Sequence, residues 1–179
     1  GTELWTVDLG GALSDVAIAN ETVYVGCATE SVVAIDLETG QRQWSSGIDN
    51  TVFARPLVAD GRVFVGGVDY YLSAFDAASG KLLWRTETPN AITTGPTIVE
   101  EKLITLSGGG RRLRGRSGSV PYAPTVLSVH DLDGTRINDY RFEGYRDGGQ
   151  PNWAVGIDDG IYVGQEWQIA RIGMEVLDV

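Results

Sequence analysis

Residues 74–84 read AFDAASGKLLW, and they decide the fold because residues 34–44, AIDLETGQRQW, carry the same pattern 40 positions earlier. Each copy has an alanine, an aspartate two positions later, a Thr-Gly or Ser-Gly pair and a closing tryptophan. An aspartate side chain can accept backbone N–H bonds, and a glycine can adopt a positive φ, so the middle of each copy is predicted to be a tight turn. Repetition at this period indicates an array of similar units.

A second anchor precedes each turn at the same spacing. It reads VYVG at residues 23–26, VFVG at 63–66 and IYVG at 161–164, with a weaker copy, LITL, at 103–106. Each anchor follows a polar turn, and short apolar, β-branched runs bounded by polar turns are typical of strands. The first unit is predicted to contain four strands, near residues 16–19, 23–26, 32–36 and 43–46.

These strands have apolar residues on both faces, so each sheet needs a cover on both sides. Sheets stacked around an axis provide that cover, which predicts an all-β β-propeller. We expect a single repeat domain over residues 1–179 with about four four-stranded blades, at about 12–48, 52–88, 92–143 and 150–179. No stretch has a sustained helical period with caps, so helix should be minor.

The segment Ala-x-Asp-x-x-Thr/Ser-Gly-x-x-x-Trp, closing a unit of about 40 residues, resembles the pyrroloquinoline-quinone (PQQ) repeat. That repeat builds WD40-like propellers of two kinds: quinoprotein alcohol dehydrogenases, and non-enzymatic propellers similar to the lipoprotein of the bacterial barrel-assembly machinery. The resemblance implies that the repeat tryptophans dock between adjacent blades, a role that falls to Trp5, Trp44 and Trp84. The third unit keeps residues 129–134 but has no tryptophan at the expected place, and the fourth breaks off at residues 176–179.

The two ends of the sequence complement each other. Residues 1–5, GTELW, match the second half of the turn-and-tryptophan motif, and the last unit lacks that half. Residues 1–8, and Leu4–Asp8 in particular, are therefore predicted to supply the outer strand of the last blade. Members of the resembling family usually have seven or eight blades, which favours half of an eight-bladed ring over a closed four-bladed ring. A homodimer could complete such a ring.

An insertion at residues 107–124 lengthens the third unit by about 15 residues. Glycines beside guanidinium groups could wrap an anion, since backbone N–H groups and arginine forks both suit carboxylate or phosphate. The alternative is a loop whose arginines pair with acidic neighbours. The candidate partner-binding residues are Arg111, Arg112, Arg114, Arg116 and Tyr122.

Other reactive residues have structural interpretations. His130 is the only histidine and occupies the position of Ile35 and Phe75, which favours a core position over catalysis. Cys27, the only cysteine, follows a predicted strand and is expected to be buried as a small hydrophobe. The segment from Asp131 to Gly134 lacks most of a calcium loop and is interpreted as a variant of the repeat turn. We assign no catalytic residue, metal ligand or cofactor.

The amino-acid composition limits the classes of partner that the protein can bind. Asp and Glu number 24 against 14 Lys and Arg, for a net charge of −10, which disfavours binding to nucleic acid. Many acidic residues with few lysines are typical of salt-adapted proteins, although an ordinary acidic protein has the same sign of charge. No apolar run is long enough for a membrane span, and no leader opens the sequence. The compartment stays open, with the family resemblance favouring an extracytoplasmic or cell-surface location.

Two functions from different classes remain. The first is a non-enzymatic propeller that binds a protein or peptide partner. The second is a segment of a PQQ-dependent dehydrogenase; in that family an adjacent-cysteine disulfide helps to hold the cofactor, which a single cysteine cannot form. The sequence therefore favours the interaction domain.

Overall fold

The computed structural model describes residues 1–29, 31–47, 52, 54–108, 125–142, 153–157, 160–165, 168–173 and 175. Its strands form four antiparallel sheets in chain order. The first contains β1 (Ala17–Ala19), β2 (Thr22–Cys27), β3 (Ser31–Asp36) and β4 (Arg42–Gly47). The second contains β5 (Leu57–Ala59), β6 (Arg62–Gly66), β7 (Tyr71–Asp76) and β8 (Leu82–Glu87).

The third sheet contains β9 (Thr97–Val99), β10 (Lys102–Ser107), β11 (Val126–His130) and β12 (Arg136–Arg141). The fourth contains β13 (Trp153–Ile157), β14 (Gly160–Gln165) and β15 (Gln168–Ile172). Within each sheet, strands that follow one another in the chain are neighbours. The predicted all-β propeller architecture is confirmed. No helix in the described residues is long and apolar enough to cross a membrane.

The hairpin turn between the first two strands of a sheet has both central residues at positive φ, the type I′ geometry that fits strand twist. These pairs are Asn20 and Glu21, Asp60 and Gly61, and Glu100 and Glu101, with φ between 47° and 69°. The turn between the third and fourth strands is the segment that the sequence repeats. In the second sheet, the Ser79 amide and hydroxyl both donate to Asp76 Oδ1 at 2.8 and 2.5 Å.

We call the face of a sheet that points toward the following sheet its forward face, and the opposite face its backward face. Each of the first three sheets packs its forward face against the backward face of the next sheet. Tyr24, Val32 and Ala34 of the first sheet pack on Val63, Val65 and Phe75 of the second. The second packs on the third through a cluster that includes Phe64, Leu72, Ala74 and Leu103. The third packs on the fourth through a cluster that includes Ile104, Leu127, Val129, Ile161 and Val163. Burial on both faces explains the apolar runs of β2, β6, β10 and β14.

The N-terminal segment, residues 1–9, lies on the backward face of the first sheet. Trp5, Val7 and Leu9 pack there against Val23, Val25, Val33 and Ile35, with the period of two expected of a strand. The expectation of a fourth strand in the last sheet is not met among the described residues, where that sheet has three. The pairing of residues 1–8 with it stays a prediction.

Candidate functional site

The repeat tryptophans contact the turn of the following sheet. Trp44 Nε1 donates to the carbonyl oxygen of Ala77 at 3.0 Å, and its ring covers Gly80 so closely that a Cβ there would lie 2.6 Å from ring carbons. Trp84 repeats the arrangement on Leu132 and Gly134, with an N–O distance of 3.1 Å. Two constraints therefore favour glycine at each position: the backbone has a positive φ, and the tryptophan ring occupies the space that a Cβ would need.

Trp5 makes the same contact on the first sheet. Its Nε1 donates to the Leu37 carbonyl at 3.1 Å, and its ring covers Gly40. The N-terminal segment therefore occupies the place that the outer strand of a preceding blade would occupy. A docking role for Trp5, Trp44 and Trp84 in stability is a proposal that this geometry supports.

The third sheet has a different residue at the tryptophan position. Trp44 lies opposite Ala34 and Trp84 opposite Ala74, whereas the residue opposite Val129 is Asn138. Phe142, just past β12, is buried in the cluster between the third and fourth sheets and meets the Tyr140 ring edge-on, at 5.0 Å between ring centroids. Apolar packing without the repeat tryptophan joins these two sheets.

The two ends of the sheets differ in charge. The turns between the first and second strands and between the third and fourth strands lie at one end of the sheets, which we call the turn end. This end contains many acidic residues: Glu21, Asp36, Glu38, Asp60, Asp76, Glu100, Glu101, Asp131 and Asp133. Hydrogen bonds from Thr39 and from Ser79 hold the pKa of Asp36 and of Asp76 below the usual range. These carboxylates therefore stay ionised in mildly acidic solution, which favours hydration and repels anions.

The other end, which we call the loop end, carries the connections between the second and third strands of each sheet. In the second sheet, Arg85 donates to Asp69 Oδ2 at 2.6 Å, and its guanidinium lies 3.9 Å from the centre of the Tyr71 ring. Tyr70, which lies between Asp69 and Tyr71 in the sequence, has a φ of 68° and is 52% exposed. A bulky residue at positive φ is strained, and such strain is common at binding sites.

The equivalent connection in the third sheet runs from β10 to β11 and contains the arginine insertion. Arg111, Arg112, Arg114, Arg116 and Tyr122 all lie outside the described residues.

His130 is completely buried, as expected for a core position. Burial, and next the charge of Arg136, lower its pKa to about 4, so the ring is neutral at pH 7. Neither ring nitrogen has a hydrogen-bond partner among the described residues.

Cys27 is also buried, and its thiol lies 3.0 Å from the Thr29 hydroxyl and 3.4 Å from the Leu9 carbonyl. The described residues contain no group of three or more His, Cys, Asp or Glu side chains that could hold a metal ion. Asp131 and Gly134 form the repeat turn, in which the Gly134 amide donates to the Asp131 carbonyl at 3.0 Å.

Sequence reasoning missed the Asp69–Arg85 ion pair, which lies beside Tyr70 and Tyr71. The two residues lie 16 positions apart, in a connection and in an outer strand. A signal was present, because residue 85 is an arginine directly after the repeat tryptophan, where the first unit has Ser45.

Comparison with known proteins places the fold. A family model described as "Outer membrane protein assembly factor BamB", a PQQ-repeat model, matches residues 1–128. The solved structure of the computationally designed Ika4 protein has a TM-score of 0.73 at 17% identity, over 97% of this chain and 98% of that one. BamB from Moraxella catarrhalis has a TM-score of 0.69 at 16% identity, over 96% of this chain and 49% of that one.

A europium-containing methanol dehydrogenase has a TM-score of 0.63 at 23% identity, over 78% of this chain and 27% of that one. The chain thus spans about half the length of BamB and about a quarter of the dehydrogenase. No curated protein sequence matches the chain. At these identities the likeness to solved structures concerns the fold alone.

Proposed function

The chain belongs to the PQQ-repeat family described as outer membrane protein assembly factor BamB, and on that premise we propose that it is a non-enzymatic interaction scaffold. Its loop end binds a protein or peptide partner. The repeated sheets hold the connections of the loop end in fixed positions, as rigid scaffolds commonly do for binding loops.

Tyr70 is the observation that carries this proposal. Its backbone is held at positive φ while its carbonyl accepts a hydrogen bond from the Thr88 amide at 2.8 Å. The Asp69–Arg85 pair and the Tyr71 ring fix the connection on either side. An ordered, half-exposed tyrosine is the type of residue that dominates binding energy at interfaces, because it adds large contact area at a low cost in conformational entropy.

The chemistry of the loop end favours an acidic partner. Four arginines lie in the sequence segment of residues 111–116, which belongs to the connection between β10 and β11. Guanidinium groups bind carboxylates through paired N–H donors. The net charge of −10 disfavours nucleic acid, so a protein segment rich in Asp or Glu is the proposed ligand.

Fluorescence anisotropy with a short labelled peptide rich in Glu tests this proposal, with a Gln-rich peptide of equal length as the matched probe. The protein is expected to bind the Glu peptide and to lose affinity as salt rises, because screening weakens exposed charge pairs. Replacing Arg111, Arg112, Arg114 and Arg116 together by Ser should weaken binding at least tenfold at low salt. Tyr70→Ser should also weaken it, and with less dependence on salt.

Two substitutions away from the loop end serve as controls. Arg141→Ser removes an exposed arginine from the outer strand of the third sheet, and Tyr140→Ser removes an exposed tyrosine beside it. Both should leave binding unchanged. Equal binding of the Glu and Gln peptides, or equal loss in the Arg141 variant and in the fourfold arginine variant, would reject the loop end as the binding surface.

The alternative function is a segment of a PQQ-dependent dehydrogenase, which the fold likeness to a methanol dehydrogenase supports. Titration with pyrroloquinoline quinone and Ca²⁺ distinguishes the two. A saturable absorbance change at one quinone per chain or per assembly would favour the enzyme. The scaffold function predicts a spectrum equal to that of the free quinone.

Three further properties belong to this proposal. The family description names an outer membrane assembly factor, which supports an extracytoplasmic location.

The acidic turn end supports adaptation to high salt, and melting temperatures that rise steeply from low to molar KCl would support it further. The chain also forms a homodimer, for which the end sheets of the array provide the surfaces.

A further inference from the structure

The backward face of the third sheet is more polar than the same face of the other sheets. Strand register fixes the equivalent positions, because His130, like Phe75 in the second sheet, lies opposite the second residue of the strand before it. Four side chains on this face form what we call the polar seam: Thr105, Ser107, Ser128 and His130. All four are buried, with at most 1% of their surface exposed.

The equivalent residues of the other sheets are mainly hydrophobic. Those at the position of Thr105 are Val25, Val65 and Val163. Those at the position of His130 are Ile35, Phe75 and Ile172. Among the described residues, the apolar cluster between the second and third sheets contains one fully buried residue of the third sheet's strands, Leu103. The polar seam therefore replaces apolar contacts that the other junctions between sheets have.

Much of the polar seam has no hydrogen-bond partner among the described residues. The unpaired atoms are Thr105 Oγ1, Ser107 Oγ and both ring nitrogens of His130. Ser128 is different, because its hydroxyl donates to Asp139 Oδ1 at 2.7 Å. A buried polar group without a partner costs free energy that it regains in contact with water. Contact with water would therefore stabilise these groups, unlike the apolar side chains at the junctions on either side.

Hydrogen bonds to one backbone carbonyl help to close this junction beside His130. Trp84 Nε1 and Arg62 Nη1 of the second sheet both donate to the Leu132 carbonyl at 3.1 Å. Leu132 lies two positions after His130, in the repeat turn of the third sheet. A movement of the strand end that carries His130 would therefore act directly on both hydrogen bonds.

The surroundings of His130 do not favour a positive charge in the closed junction. The charged residues of the strands on either side of the junction are Arg136 and Asp139 of β12, Arg62 of β6 and Asp76 of β7. Burial and next the charge of Arg136 lower the pKa of the ring, and Asp139 opposes them without restoring it. The carboxylate of Asp139 already accepts the Ser128 hydroxyl.

The other charged groups near the junction have partners of their own. Asp76 accepts hydrogen bonds from Ser79, and Lys102 of β10 pairs with Asp131 at 2.6 Å. Arg85 of β8 lies on the opposite face of the second sheet, where it pairs with Asp69. A proton on His130 is therefore stabilised best by water, which reaches the ring when the two sheets separate.

We propose that the junction between the second and third sheets is an acid-sensitive hinge, which opens at the polar seam when His130 binds a proton while both sheets stay folded. Opening gives the charged ring and the unpaired hydroxyls water as a partner. The forward face of the third sheet stays packed on the fourth through Ile104, Leu127 and Val129. Local opening of this kind costs less than global unfolding. The opened form binds the proton more tightly, so opening increases as pH falls below ~6.5.

Hydrogen exchange at the tryptophan indoles, followed by NMR, tests this proposal in the unmodified protein. Trp84 reports on the hinge, and Trp44, which makes the same contact between the first and second sheets, is the internal reference. The ratio of the two indole N–H exchange rates at one pH cancels the direct effect of pH on exchange. We expect this ratio to rise at least tenfold from pH 7 to pH 4.5, while the backbone amides of β11 stay protected.

Two variants separate His130 from other effects of acid. His130→Phe introduces the residue that the second sheet has at this position, and the ratio should then change less than twofold between pH 7 and pH 4.5. Asp133→Asn removes another titratable group from the same turn and should preserve the tenfold rise. Equal increases at Trp44 and Trp84, loss of protection in β11, or a rise that persists in His130→Phe would overturn the proposal.

Discussion

Two junctions between sheets differ in their contacts. The first junction joins the second and third sheets, and the second junction joins the third and fourth. At the first junction, Trp84 donates a hydrogen bond to the Leu132 carbonyl and lies in close contact with Gly134. The second has Asn138 at that position and an apolar cluster that includes Phe142. Apolar packing is therefore common to every junction, whereas the tryptophan contact is a separate device that one junction lacks.

The largest loss of stability is expected when the tryptophan of the first junction is removed. Trp84→Ala is expected to lower the free energy of unfolding by ~3–5 kcal/mol, because a large, partly buried ring leaves a cavity and an unpaired carbonyl. Asn138→Ala, at the same position of the next sheet, should cost ~1 kcal/mol or less. Urea unfolding followed by far-UV circular dichroism measures both.

Leu83→Ala is the matched control, since Leu83 precedes Trp84 and is exposed. Its loss should stay within ~0.5 kcal/mol. Equal losses for Trp84→Ala and Asn138→Ala would mean that the two junctions do not differ as described.

His130 makes the third sheet sensitive to pH. Its folded pKa of about 4 lies below the value of ~6.5 in the unfolded chain, so the unfolded state binds more protons between these values. This contribution to stability is therefore expected to be fully present above pH ~6.5 and to be lost as pH decreases toward 4, by an amount on the order of 3 kcal/mol. Unfolding curves between pH 7 and pH 4 measure this loss.

His130→Phe should remove most of this pH dependence, because Phe75 occupies the same position in the second sheet. The variant should also be at least as stable as the original at pH 7, since it removes two unpaired buried nitrogens. An unchanged pH dependence in the variant would show that other groups cause it.

The glycine under the tryptophan sharpens the comparison further. Gly80→Ala is expected to cost ~2–3 kcal/mol, because its φ is 71° and the new Cβ would collide with the Trp44 ring. Gly61 has a similar φ, 69°, but open space around it, so Gly61→Ala should cost only ~1 kcal/mol. Similar losses in thermal melts of the two variants would mean that the ring contact contributes little.

The smallest effect is expected at the acidic turns. Asp76→Asn removes an acceptor that the Ser79 amide and hydroxyl use, so the melting temperature should fall slightly at pH 7. Because hydrogen bonding lowers the pKa of Asp76, its contribution is present above the unfolded value of ~3.9 and is lost as pH falls below it. A difference from the original protein that persists unchanged at pH 2 would contradict this origin.

The sequence predicted the repeated parts of the fold because each repeat states them locally. Residues 34–44 and 74–84 specify a turn, two strands and a tryptophan with no reference to the rest of the chain. The exposure of Ile169 was not predictable from its place in the repeat, since it depends on which sheet stands beside it. The Asp69–Arg85 pair was not predicted, because the sequence marks residue 85 only as an arginine where the first unit has Ser45, and no periodic pattern relates it to Asp69.

The proposed homodimer is the central claim, and the mass of the chain in solution tests it most directly. Light scattering coupled to size-exclusion chromatography, at low and at high salt, should give twice the chain mass of 19.2 kDa. Deletion of residues 1–8 should abolish that species, because it removes Trp5 and its contacts with Leu37 and Gly40 on the first sheet. A stable, folded particle of 19.2 kDa at both salt concentrations would contradict the account.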